Sequence, residues 1–409
     1  MAELQETKKR RKGLRVALIS LVALGMAVTG TGCSVVANNA APGPATSTAA
    51  PSTTPPAVPA TIAVNTKDGA TSVNPAGEIA AEVTNGTVAT AILKETTSGE
   101  NVAGDLVVSG RKWISKAPLK FDTAYTFDVT AADAGGTKTT KTTKFHTVPA
   151  SHEADAVMYP GADETVGVAQ PLQFVFSEPV VNKEAVEKAI KITTSTGQPG
   201  AFRWYSDTLL RYRGAEYWPA NSKINVDMKL FGMDIGNGMI GNFNKNYNIN
   251  IGNKVVMEAD AAAHSVSILV NDVVAQTFPA TMGDEAFPSA SGFMVVTNDK
   301  QRYATFKAST IGLKPGDPGD YGSVDVEFAT RMANSGIFIH QATPSAMPYL
   351  GVANLSHGCI GLSAEGAGWV FNNMRPGDIV HTVGTPNETI APTDGFGDWN
   401  IPFEQYASR

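Results

Sequence analysis

From residue 61 to 252 the chain alternates apolar and polar positions in short runs with turn residues between them. "YTFDVTA" (125–131) alternates, "DAGGTK" (133–138) turns, and "TTKFHTV" (142–148) returns, the pattern of a β-hairpin closing a sandwich. A second stretch repeats the plan. "PLQFVFSEPV" (171–180) and "INVDMKL" (224–230) alternate, and "NYNINIG" (246–252) ends the module. Each stretch has the length of an immunoglobulin-like sandwich, so the pattern predicts two all-β modules, 61–149 and 150–252, the alternative being one larger β-domain. A third region, 253–384, is also β-rich. "HSVSILVNDVVAQTF" (264–278) reads as a hairpin turning at Asn271-Asp272, and "GFMVVTN" (292–298) and "SGIFIHQ" (335–341) read as further strands. One helix stands out, "SAEGAGWVFNNM" (363–374). Ser363 can cap it, Glu365 suits its N-terminal dipole, and Arg375-Pro376-Gly377 stops it. The remaining residues, 385–409, are polar except for Phe396, Trp399 and Phe403, which are expected to pack back onto a domain.

The first residues break this pattern. Lys8, Lys9, Arg10, Arg11, Lys12 and Arg15 precede an apolar run at 16–28 and then the small residues "TGTGCS". That order reads as an export signal over 1–33, too short for a comfortable membrane span. The residues before Cys33 resemble a bacterial lipobox, with Gly30 where such boxes usually carry Leu or Val. Cys33 is therefore a candidate lipidation site, and ordinary cleavage nearby or an uncleaved anchor is the alternative. Residues 34–60 are rich in Pro, Ala, Ser and Thr and read as a disordered linker. The expected location is outside the plasma membrane, on its outer face or in the cell wall, held by an N-terminal lipid anchor. A net charge of -6 and no basic stripe beyond the N-terminus argue against a nucleic-acid partner.

Export makes the cysteine count informative. The chain has 2 cysteines, and Cys33 sits at the signal boundary, so Cys359 is alone. An unpaired thiol outside the cytoplasm is a liability unless it is used or buried. Cys359 follows Ser356-His357-Gly358 and precedes the capped helix. Gly358 lets the chain turn sharply and lets amide N–H groups face a substrate oxygen. His340 ends an apolar run about twenty residues upstream, enough for a strand to pass into a loop and return beside it. A nucleophilic thiol, ionised at the mouth of a groove with His340 as proton partner, is one reading. A buried inert cysteine, a core histidine and a His/His/Cys metal site are the others, and His357 could be base, donor or scaffold.

"SGIFIHQ" followed by "SHGCIGLS" resembles the YkuD-type catalytic domain of L,D-transpeptidases. The two sandwiches, "YPGADETVGVAQPLQFVFSEPV" (159–180), "FGMDIGNGMIG" (231–241), "FPATMGDEAFPSASG" (278–292) and "RPGDIV" (375–380) are similar to the multi-domain enzymes of actinobacteria. The resemblance implies a mainly β fold: two tandem immunoglobulin-like sandwiches, then a β-rich catalytic domain (253–384) with one main helix, then a C-terminal extension (385–409). It implies Cys359 as nucleophile and His340 as proton partner, oriented by the Gln341 carbonyl. Amides around His357, Gly358 and Cys359 would form the oxyanion site with Tyr321 nearby, and Ser335, Gly336 and Ser356 would line the peptide-stem groove. Gly361 departs from the family, which usually carries Arg or Asn there to bind substrate. The "MDIGNG" loop is similar to a cation-binding loop, with Asp234, Asn237 and Gly238 as candidate ligands for a structural Ca2+; a plain Gly-rich turn is the alternative.

The implied activity joins peptidoglycan stems. A tetrapeptide donor acylates Cys359, a diaminopimelate amine of a second stem accepts, and a 3→3 cross-link results, with no cofactor required and carbapenems as inhibitors. Two alternatives stay open: L,D-carboxypeptidase action on the same acyl-enzyme, and a non-enzymatic wall-binding lipoprotein. A papain-like protease places its cysteine before its histidine, the reverse of the order here.

Overall fold

A computed structural model describes residues 57–408. The signal and lipidation expectations at 1–33, including Cys33, and most of the 34–60 linker lie outside the described residues.

The first β-module pairs a four-stranded sheet with a five-stranded one. Strand Ala124–Asp133 shows why it forms. Tyr125, Phe127, Val129 and Ala131 are all buried, while Asp128 and Thr130 between them are only half-buried. It pairs antiparallel with Lys138–Thr147, with Tyr125 opposite Phe145, as the sequence pattern predicts. Trp113 packs on Phe127 across the sandwich, ring centroids 4.8 Å apart. Each such buried aromatic contributes roughly 2–3 kcal/mol from apolar area alone. The next module has two four-stranded sheets and a small three-stranded one. It carries a short helix, Lys183–Ala189, that the alternation did not reveal. The Asn74 side-chain amide donates to the Gly232 carbonyl (2.7 Å), and Phe121 meets Phe231 edge-on at 5.5 Å, so the two modules touch.

At the "MDIGNG" loop the structure shows a Gly-rich turn, the alternative to a calcium site. Asn237 and Gly238 have φ of 55 and 73° and form a tight turn between strands Asp234–Gly236 and Met239–Gly241. Asp234 Oδ1 accepts the Gly236 amide (2.8 Å), so the carboxylate stitches the turn. Among the described residues no group of three or more His, Cys, Asp or Glu side chains could hold a metal.

The third region is built on a nine-stranded sheet. In order its strands are Gly292–Val295, Ile379–Val383, Val255–Asp260, Ser265–Val270, Val273–Thr281, Ile360–Leu362, Phe338–Gln341, Ser323–Arg331 and Lys300–Lys307. Asn271 and Asp272 form the expected two-residue turn, with φ of 50 and 66°. The expected helix spans Ala364–Asn373, and the Ser363 hydroxyl accepts the Gly366 amide (3.1 Å) as its cap. Its Ala367 and Val370 pack in one core with Ala280, Ile339, Ile360 and Leu362.

The final residues cross back to the second sandwich. Arg211 and Asp398 form an ion pair of 2.6 Å with side chains only 4% and 0% exposed. The Arg213 guanidinium lies over the rings of Trp399 (4.5 Å), Phe403 (5.5 Å) and Tyr406 (4.3 Å). Phe396 is buried against the Arg211 guanidinium, so all three aromatic residues singled out in this segment pack back as expected. The Asn400 side chain bonds both the amide and the carbonyl of Phe293, tying the same segment to the nine-stranded sheet.

Candidate active site

Three adjacent strands position the chemistry. Pairing is parallel between Phe338–Gln341 and Ile360–Leu362, with His340 opposite Gly361, and antiparallel between Thr281 and Gly361. Alternation sends Ile339, Ile360, Leu362 and Ala280 into the core under the helix. It leaves His340, Gly361 and Thr281 on the other face. There, with Cys359, Tyr321 and Phe306, they line a pocket of about 360 Å³.

His340 is buried, and its Nδ1 lies 2.7 Å from the Gln341 carbonyl. A carbonyl only accepts, so Nδ1 carries the proton and Nε2 keeps its lone pair. Burial holds the imidazole pKa below its ordinary value, outweighing the Gln341 bond. Phe306 meets the ring edge-on at 5.3 Å. The imidazole is therefore held in one orientation with burial favouring its neutral form.

Cys359 is partly exposed at the pocket and packs against the apolar cluster of Val326, Ala329 and Phe338. Its Sγ donates to the Gly336 carbonyl at 3.6 Å. Burial pushes the thiol pKa up to about 11, and the opposing pull of the Phe338 amide and of Arg331 is smaller. The apolar bed thus disfavours the thiolate more than the neighbouring donors favour it, which runs against the expected ionised sulfur.

The turn before Cys359 is internally braced. Gly358 has φ of 108°, open to glycine and strained for any other residue. The Ser356 hydroxyl donates to the Cys359 carbonyl (2.7 Å) and accepts the Gly358 amide (3.2 Å). Ser356 lines the pocket, but its hydroxyl is committed to the loop. His357 Nε2 donates to the Gly319 carbonyl (2.8 Å), and its ring sits between Phe287 (4.5 Å) and Tyr321 (5.0 Å). Of its three possible roles, the geometry fits the scaffold: His357 holds the 308–322 loop over the pocket. Burial, with a smaller contribution from Cys359, raises the pKa of the Tyr321 hydroxyl.

Gly336 reaches the site through its carbonyl, whereas Ser335 is exposed and its amide donates to Asp394 Oδ1 (2.7 Å). Gly361 lies in the pocket floor. A Cβ there would come within 2.8 Å of the Thr281 methyl, so that methyl occupies the space a side chain at 361 would need. Thr281 itself went unnoticed in the sequence, as did Ser289, whose hydroxyl bonds the Gly358 carbonyl. Neither sits in the Cys motif: strand pairing brings Thr281 to it, and the irregular segment after that strand brings Ser289.

Comparison with known proteins fits this geometry. A bacterial Ig domain family matches residues 70–234, and the YkuD L,D-transpeptidase catalytic domain matches residues 254–382. The chain is 33% identical over 345 residues to L,D-transpeptidase 2 of Mycobacterium tuberculosis, covering 84% of this chain and 83% of that protein. It is 28% identical to L,D-transpeptidase 5 of the same species over 348 residues, 83% of this chain and 75% of the relative. Among solved structures, an L,D-transpeptidase in complex with imipenem is 28% identical, covering 56% of this chain and 97% of its own, with a TM-score of 0.49. With a third of its residues shared along most of a mycobacterial relative, and with the YkuD match spanning the pocket that holds Cys359 and His340, the chain belongs to the L,D-transpeptidase family.

Proposed function

We propose that this transpeptidase forms 3→3 cross-links between peptidoglycan stems through a thioester on Cys359. The observation that carries the reading is a thiol and an oriented, neutral imidazole lining one pocket. A donor stem would place the carbonyl between diaminopimelate and the terminal D-alanine over Cys359. The Sγ–H proton passes to His340 Nε2 as the S–C bond forms. Collapse breaks the C–N bond, and the departing D-alanine amine takes that proton. A diaminopimelate side-chain amine of a second stem then attacks the thioester and gives its proton to His340. The thiolate leaves and takes the proton back. The Cys359 backbone amide would stabilise the oxyanion, the Gly358 amide being held by the Ser356 hydroxyl. Carbapenems would acylate the same sulfur through their ring carbonyl. Release of the chain outside the plasma membrane, with Cys33 as a lipid anchor, belongs to the same proposal and rests on the N-terminal sequence pattern.

Incubating purified protein with disaccharide-tetrapeptide and reading products by mass spectrometry tests this. A cross-linked dimer one D-alanine lighter than two donors, absent with Cys359→Ala, is expected. Tripeptide alone would mean hydrolysis of the acyl-enzyme instead, and an equal dimer yield from Cys359→Ala would overturn the assignment.

A further inference from the structure

We propose that Ser289 is a positioning residue that aims the Cys359 amide into the pocket. The inference rests on the acyl-transfer reading above. Ser289 is 2% exposed and lies outside the Cys motif, yet its hydroxyl binds the motif directly. It accepts the Gly283 amide (2.9 Å) and donates to the Gly358 carbonyl (3.0 Å). Both its donor and an acceptor site are thus used, which fixes the hydroxyl rotor.

The consequence follows from peptide geometry. The Gly358–Cys359 peptide is planar and trans, so its carbonyl and its N–H point in opposite directions. Holding the Gly358 oxygen against buried Ser289 turns the Cys359 N–H the other way, toward the face where Cys359 lines the pocket. Gly358, at φ of 108°, has no Cβ to resist rotation of this plane. Glycine permits the required orientation but does not select it, and the serine supplies the selection.

Neighbouring contacts support the same role. The Gly283–Ser289 segment runs alongside the nucleophile turn: the Ser356 amide donates to the Met282 carbonyl (2.9 Å), and the Asp284 amide to the Ser356 carbonyl (3.0 Å). The segment is anchored on its far side, where the Thr385 hydroxyl donates to the Ser289 carbonyl (2.7 Å) and the Asn387 side chain to the Pro288 carbonyl (2.8 Å). Ser289 is therefore a short rigid strut between an anchored segment and the peptide plane that precedes the sulfur-bearing residue.

The test separates aim from integrity by using two reactions of the same sulfur. Acylation by a carbapenem develops an oxyanion, whereas alkylation by iodoacetamide displaces iodide at a saturated carbon and develops none. Misaiming one oxyanion donor is expected to slow acylation by roughly ten- to a hundredfold, somewhat less than deleting such a donor outright. Ser289→Ala should show that loss in the acylation rate constant, with alkylation within about twofold of wild type. In turnover it should lower kcat with little change in KM. Ser289→Thr keeps the hydroxyl and should recover most of the rate. Equal acylation rates for Ser289→Ala and wild type, or a parallel loss of acylation and alkylation, would overturn the role. A wild-type protein that forms no carbapenem adduct would instead refute the acyl-transfer reading, and this role with it.

Discussion

The protonation state of Cys359 can be tested by following its alkylation across pH. With the thiol pushed up to about 11 by its apolar bed, the thiolate fraction at pH 7 is about 10⁻⁴, against about 3% for an unperturbed cysteine. Ionising the resting thiol at pH 7 then costs about 5 kcal/mol. The higher pKa makes each thiolate roughly tenfold more nucleophilic, so the net rate should be about thirtyfold below that of a free cysteine peptide. Stopped-time alkylation with iodoacetamide, read by intact mass between pH 6 and 10.5, should give a rate rising about tenfold per pH unit without a plateau. His340→Ala should alter it little, because no imidazolium supports a thiolate at rest. A rate already level between pH 6 and 8, collapsing in His340→Ala, would show a preformed thiolate–imidazolium pair and refute the argument.

Other expectations follow from the same geometry. Acylation by a carbapenem, unlike alkylation, should be level from about pH 7 to 9, because neutral His340 accepts the proton there. His340 has its pKa lowered by burial, so the rate should fall only as pH drops through that value, below the usual histidine range, tenfold per unit in a stopped-flow profile. Gly361→Ala should crowd the Thr281 methyl, costing about 1–3 kcal/mol in urea unfolding and slowing acylation, and a second change, Thr281→Ser, should restore both by removing that methyl. Asp398→Ala should destabilise the protein by about 3–5 kcal/mol in urea unfolding, because it leaves the Arg211 guanidinium buried and unpaired.

Much of this architecture can be read locally. The Asn271-Asp272 turn, the Ser363 cap and the alternation of Ala124–Asp133 are each decided by a few neighbouring residues, and each forms as the pattern predicts. His340 and Cys359 were legible for the same reason, one at a strand end and one after a glycine turn. Other features depend on residues remote in the chain. Arg211 and Asp398 lie 187 positions apart, and nothing in either neighbourhood points to the other. Ser289 meets Gly358 across 69 positions, through an irregular segment whose path the sequence pattern does not contain. The environment of the thiol was not legible, because its motif shows glycines and histidines, while the apolar residues packed against it, Val326, Ala329 and Phe338, come from other strands. The "MDIGNG" loop was legible as a turn, because Asn237-Gly238 is a good turn dipeptide.

The protonated resting sulfur has a consequence for durability. Peroxide and other oxidants attack the thiolate, and the path from sulfenic to sulfinic acid ends in species that are not recovered. Kept as the thiol on an apolar bed, Cys359 presents oxidants with about one ionised sulfur in ten thousand molecules at pH 7. Incubated with hydrogen peroxide at pH 7, the idle protein is expected to lose carbapenem-reactive sulfur more slowly than a free cysteine peptide loses its thiol.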